Sequence, residues 1–110
     1  MLTSPLVRAV QTAQILSFAL EYDGPLRAHR SLLPDMPVGA IDSVMNEPTL
    51  EALVLVGHNP SMTAMAAHLL GMQTFPKPVT PGTIIAIERT DTGAKLIFYA
   101  PPGQSVLESV

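Results

Sequence analysis

The run Ala52-Leu53-Val54-Leu55-Val56-Gly57 contains no polar side chain and no alternation. A strand solvated on one face alternates apolar and polar residues, whereas one buried on both faces reads as continuous apolar sequence, as in a parallel sheet. Parallel strands need a crossover between them, usually a helix. His58-Asn59-Pro60 follows the run at once, and helical apolar spacing begins directly after it. This one segment therefore predicts an α/β layer architecture around a central strand.

The flanking sequence fits that frame. A helix is expected from about Pro5 to Tyr22, with Ser4 as N-cap, Pro5 in the first helical position and Asp23-Gly24-Pro25 as the stop. Projected at 100° per residue, Gln14, Ser17 and Glu21 form its solvent face. Val7, Ile15, Phe18 and Tyr22 lie to one flank of the opposite side, and Leu6, Val10, Ala13 and Leu20 to the other. A short strand from Leu26 to Arg30 is expected next, then a loop from Leu32 to Pro37. A weak helix from Val38 to Met45 follows, closed by Asn46-Glu47-Pro48. A second clear helix should run from about Pro60 to Met72, with Asn59 as N-cap and Met62, Met65, Ala66, Leu69 and Leu70 as its apolar stripe. Phe75 to Gly82 reads as a proline-rich loop. Thr83–Glu88 and Lys95–Tyr99 read as a hairpin turning at Thr90-Asp91-Thr92-Gly93 and forming an antiparallel edge. Residues from Pro101 onward read as a loose tail, which places the domain at 1–101 and the tail at 102–110.

Composition removes several function classes. At 110 residues the chain has room for one domain. Its 47% hydrophobic and 14% charged content excludes disorder over most of its length. Six basic against nine acidic residues, net charge −3, leave no basic stripe for nucleic acid. Without cysteine there is no disulfide framework and no thiolate metal site, a composition that suits the cytoplasm. Three histidines without ligand spacing predict no metal and no cofactor. No apolar run approaches the roughly 20 residues needed to cross a bilayer, and no signal-peptide pattern precedes the first helix.

The candidate chemistry sits at two junctions of one design. Thr3-Ser4-Pro5 and His58-Asn59-Pro60 each end a strand and begin a helix. Ligands of open α/β sheets bind beyond the C-terminal strand ends, where helix N-termini offer free N–H groups to anions. Arg8 projects roughly 145° from the centre of the expected solvent face, near the positive end of its helix. A lone arginine there ordinarily snorkels around the helix edge or pairs with a carboxylate; an anion is the other partner that would suit it. His58, at the end of a buried strand, is either a hydrogen-bonded core histidine or a ligand-facing one. Ser4 has no assignable His–Asp partner, so capping describes it better than nucleophilic chemistry. His68 falls toward the polar side of its helix, His29 has no evident role, and the methionines fill core.

Thr3-Ser4-Pro5-Leu6-Val7-Arg8-Ala9-Val10-Gln11-Thr12-Ala13 resembles the S-P-x-x-R-A-x-Q-T-A signature of the histidine phosphatase superfamily. Leu55-Val56-Gly57-His58-Asn59-Pro60 resembles that superfamily's second-histidine motif, and Pro81-Gly82-Thr83 before a hairpin is similar to the SixA-type phosphohistidine phosphatases. The resemblance implies a three-layer α/β sandwich with a mostly parallel sheet, like that of phosphoglycerate mutases. It also implies hydrolysis of a phosphoryl group by way of a phosphohistidine enzyme intermediate. Arg8 matches the second phosphate-binding arginine and His58 the second active-site histidine. Partners would be a phosphohistidine-bearing protein or a small phosphorylated substrate.

The chain departs from the family in having no R-H-G or R-H-A motif, which carries the nucleophilic histidine and first arginine; no Arg-His pair occurs anywhere in it. Relative to the family it starts where the second strand ends, so the first strand and helix are expected to be missing. Val54–Val56 would then lack a neighbour, and the open edge would favour oligomers. The expectation is a phosphatase domain inactive as this chain stands. The alternatives are a non-catalytic phosphate- or phosphohistidine-binding module, or a plain interaction module.

Overall fold

Strand β1 (Leu2–Thr3) lies in the middle of a three-stranded parallel sheet, between β2 (Arg27–Ala28) and β3 (Leu55–Val56). The computed structural model describes residues 1–45, 52–91 and 93–110, and these fall into two compact units, Met1–Ser61 and Met62–Val110. The expected helix stop at Asn46-Glu47-Pro48 and Thr92 of the expected hairpin turn lie outside the described residues.

In the first unit the order of elements is β1, α1 (Val7–Ala19), β2, two short 3-10 turns (Arg30–Leu32 and Val38–Ile41), α2 (Asp42–Met45) and β3. The apolar run around β3 is not the doubly buried central strand that its composition suggests. Only Leu55 and Val56 are regular, they end the sheet, and Val54, Leu55 and Val56 are half-buried. Nor does this run lack a neighbour. Leu2 pairs with Leu55 and Thr3 with Val56, through Leu2 N–H to Val54 C=O at 2.9 Å and Ser4 N–H to Val56 C=O at 2.8 Å. The ladder that the resemblance assigned to another strand is supplied by the backbone of residues 2–4.

Helix α1 packs against β1 and β3. It is shorter than expected, and only part of its expected apolar surface faces inward: Gln14 and Glu21 of the expected solvent face are exposed, Ser17 is half-buried, and the flank of Val7, Ile15 and Phe18 points outward as well. Ala9 and Ala13, one turn apart, are buried, while Val7, Ile15 and Phe18 are 72%, 72% and 88% exposed. Strands of two residues offer the helix a narrow platform. A stripe of two alanines approaches such a platform most closely, and the larger residues are left outside. The rest of this core is Leu32 and Ile41 together with buried Thr3, Ser4 and Ser31.

Helix α3 (Ser61–Leu69) begins at the division between the units, one residue later than expected, after the cis Asn59–Pro60 bond. Its expected stripe faces inward: Met65 and Ala66 are buried, Met62, Leu69 and Leu70 half-buried, and His68 exposed, while Ala67, outside that stripe, is buried as well. In the second unit Ala66 and Ala67 form a core with Phe75 and Tyr99, joined by Leu70, Val79, Ile85, Ile87, Leu96 and Val110. Phe75 and Tyr99 meet at 5.9 Å between ring centroids, tilted by 43°, a favourable aromatic geometry. The Tyr99 hydroxyl donates to the Pro78 carbonyl.

The loop into the hairpin closes with a turn at Thr80–Thr83, where Thr83 N–H reaches Thr80 C=O at 3.0 Å. Gly82 there has φ +90°, which the third position of a type II turn requires after Pro81. Strands β4 (Ile84–Thr90) and β5 (Gly93–Ala100) then pair antiparallel as a two-stranded sheet of their own rather than as an edge of the parallel one. A bulge at Ile97 interrupts the ladder, since Ala86 faces Phe98 but Ile87 faces Leu96. Side chains on one strand normally share a face at every second residue. The bulge lets Leu96 and Tyr99, three apart, stand opposite Ile87 and Ile85 on the same core. Beyond Pro101, Leu107 bridges back to Tyr99 through two backbone bonds of 2.7 and 2.8 Å.

The two long helices end in the same way. After α3, Met72 N–H bonds to Ala67 C=O and Gly71 N–H to His68 C=O, with Gly71 at φ +69°. After α1, Tyr22 N–H bonds to Ser17 C=O and Glu21 N–H to Phe18 C=O, with Glu21 at φ +53°. Both are Schellman caps, which favour glycine at the left-handed position. Helix α1 thus stops ahead of the expected Asp23-Gly24-Pro25, on a glutamate held in a conformation that costs it steric strain. Glu21→Gly is expected to stabilise the chain by about 1 kcal/mol and to raise its thermal midpoint by a few degrees in a circular dichroism melt.

Candidate functional site

Parallel pairing of β1 with β3 puts the C-terminal ends of both strands on the same sheet edge. One residue past β1 stands Ser4; two past β3 stands His58. The result is a direct contact across 54 positions of sequence: His58 Nε2 lies 2.8 Å from Ser4 Oγ. Ser4 is fully buried and His58 half-buried. Ser4 does not cap α1. The N-cap position belongs to Leu6, whose side chain cannot accept a hydrogen bond, and Ser4 Oγ accepts the Leu6 N–H at 3.3 Å instead. Buried Thr3 donates from Oγ1 to the Ser4 carbonyl at 3.0 Å, which steadies the same turn.

Arg8 sits in the first turn of α1 and is exposed, not turned inward as the projection suggested. The reason is that α1 buries only the narrow Ala9/Ala13 strip, which leaves Arg8 on the outward side. Among the described residues no carboxylate pairs with it. The first turn of α1 also contains no acidic residue. A guanidinium therefore stands at the positive end of a helix with no ion-pair partner among the described residues, an arrangement that attracts anions.

The ring of His58 responds to this setting. Its pKa is lowered from the ordinary 6.5, first because partial burial disfavours the charged imidazolium and then because Arg8 repels it. Neutral imidazole is thus the form this site favours. The second ring nitrogen, Nδ1, has no protein partner among the described residues. Among the described residues no acid orients His58 in the manner of a hydrolase triad, and Ser4 is enclosed, so the Ser4–His58 pair is poorly placed for nucleophilic chemistry.

Both site residues singled out from sequence, Arg8 and His58, lie at this edge, and Ser4 joins them in a role that sequence did not suggest. The signal for it was present in outline, because Ser4 and His58 occupy equivalent places between a strand and a helix. His29, given no role from sequence, lies just past β2 at the same edge and caps the turn Arg30–Leu32, its Nδ1 accepting from Ser31 N–H at 3.2 Å. A shallow hollow lined by Phe18, Glu21, Tyr22 and Asp23 lies at the other end of α1, away from these groups. Among the described residues no three His, Asp or Glu side chains gather as a metal would require, and no helix is long and apolar enough to cross a membrane.

No protein-family model matches the chain, and no curated protein matches it.

A lowered histidine pKa has a defined effect on stability. The unfolded chain takes up this proton near pH 6.5 while the folded chain still resists it. The contribution is neutral above that pH and becomes destabilising as pH falls through 6.5 towards the folded midpoint. An NMR titration should place the His58 midpoint below 6.5, and His58→Gln should flatten the fall in melting temperature over that window.

Proposed function

We propose that the edge formed by Ser4, Arg8 and His58 is a phosphoryl-binding site of the histidine phosphatase kind, within a fold like that of phosphoglycerate mutases. The observation that carries this reading is an Arg8 without an ion-pair partner among the described residues, in the first turn of α1 and near enough to His58 to disfavour its protonated ring. The two junction motifs that resemble the superfamily supply these residues. In this role the Arg8 guanidinium takes two non-bridging oxygens of the ligand in a fork, as arginine does with phosphate. The first-turn amides of α1, which no side chain caps, add N–H donors. His58, held neutral, contributes a ring N–H rather than a second charge.

The activity to which such a site belongs is phosphohistidine phosphatase. A phosphoryl group passes to a histidine of the enzyme and then to water, with catalysis coming from positioning and charge stabilisation. The motif that carries that nucleophile is not among these 110 residues. His58 does not replace it, because its Nε2 is engaged by Ser4. On this reading the chain by itself recognises a phosphorylated ligand, phosphohistidine in a protein or a small phosphoester, without turning it over.

Inorganic phosphate should raise the melting temperature of the wild-type chain, and Arg8→Ala should remove that protection. A fork to a phosphate contributes about 2 kcal/mol, so affinity should fall by more than tenfold. A wild-type melt indifferent to phosphate up to high millimolar concentration overturns the proposal. Release of phosphate from a phosphohistidine peptide by this chain, abolished in His58→Ala, would show that it also hydrolyses.

A further inference from the structure

The geometry points to Ser4 as the residue that decides which nitrogen of His58 carries the proton: its buried hydroxyl donates to Nε2 and so leaves the N–H on Nδ1. The inference rests on the phosphoryl-binding reading for its purpose, but its geometry stands separately. A serine hydroxyl has one hydrogen to give and lone pairs to receive. Ser4 Oγ already receives the Leu6 N–H at 3.3 Å, and His58 Nε2 at 2.8 Å is the one acceptor within reach of its hydrogen among the described residues. Were Nε2 to hold the proton, Oγ would accept twice and its own hydrogen would be enclosed with no acceptor. Ser4 is fully buried, so water offers no substitute. An enclosed, unsatisfied donor costs on the order of 1–3 kcal/mol.

A free histidine side chain in water prefers the opposite tautomer, with the proton on Nε2. The Ser4 hydroxyl therefore works against the intrinsic preference, and its effect is to make Nδ1, which has no partner among the described residues, a donor. An anion drawn in by Arg8 then meets an N–H rather than a lone pair. With the lone pair outward, the same neutral ring would repel a phosphoryl oxygen. Protonation of the ring would place a hydrogen on Nε2 and cost the Ser4 hydroxyl its acceptor, which acts in the same direction as burial and the Arg8 charge on His58. Arg8, from α1, is the charged group that acts on the ring; Ser4, from the turn after β1, is the hydrogen-bond partner. Ser4 is a positioning residue, acting on a ligand through His58.

Long-range nitrogen–proton NMR on the full 110-residue chain at neutral pH reads the tautomer directly. The expected result is an Nδ1–H tautomer for His58 in the wild type. In Ser4→Ala the population should shift to Nε2–H and affinity for inorganic phosphate should weaken about fivefold, the value of one hydrogen bond. Ser4→Thr, which retains the hydroxyl, should keep Nδ1–H. A wild-type His58 protonated on Nε2 overturns the inference without recourse to any variant, as does a Ser4→Ala chain that folds and keeps Nδ1–H. The phosphoryl-binding reading fails by a different observation, absence of a phosphate effect in the wild type, which leaves the tautomer result standing.

Discussion

Two backbone hydrogen bonds, from Leu2 to Val54 and from Ser4 to Val56, decide where the candidate site forms in the first unit. They make β1 and β3 parallel and in register, and parallel register alone decides that both strands finish at one edge. The helix that follows β1 and the turn that follows β3 must then start side by side. Ser4 and His58 meet because each stands just beyond its strand, not because either segment seeks the other. Bonds of this kind contribute about 1 kcal/mol each to net stability, so the site depends on a short ladder that the Ala9/Ala13 packing of α1 has to support.

The electrostatics follow from the same placement. Arg8 and the amides of the first turn of α1 concentrate positive potential at a spot where no carboxylate answers among the described residues. A histidine in that potential favours its uncharged form. The site thus offers one permanent cation and one neutral hydrogen-bonding ring. That division suits a ligand whose charge is spread over several oxygens, because the cation supplies attraction while the ring supplies direction.

Much of the secondary structure was readable. The stripe of α3 and the two strands of the hairpin carry their own periodicity, and Pro81-Gly82 announces its turn by backbone chemistry that acts locally. What could not be read depends on partners that sequence does not name. Helix α1 is apolar on several sides, so which side it buries is set by the narrow sheet beneath it. The exposure of Phe18 follows from that tertiary fact. The end of α1 at Glu21 violates the preference for glycine and so leaves no mark in composition. The position of His58 at a strand end was legible, whereas Ser4 was read as a cap, since its partner lies 54 positions away.

The bulge at Ile97 has a consequence for how the hairpin finds its alignment. In a regular two-stranded ribbon, sliding one strand by two residues restores the same pattern of faces, so several alignments compete. Here the core residues are spaced by two on β4, at Ile85 and Ile87, and by three on β5, at Leu96 and Tyr99. A ribbon with unequal spacings behaves like a key with an irregular cut. Of the slipped alignments, none without an extra residue at the same place can point all four side chains inward. The irregularity that interrupts the ladder also makes the alignment unique.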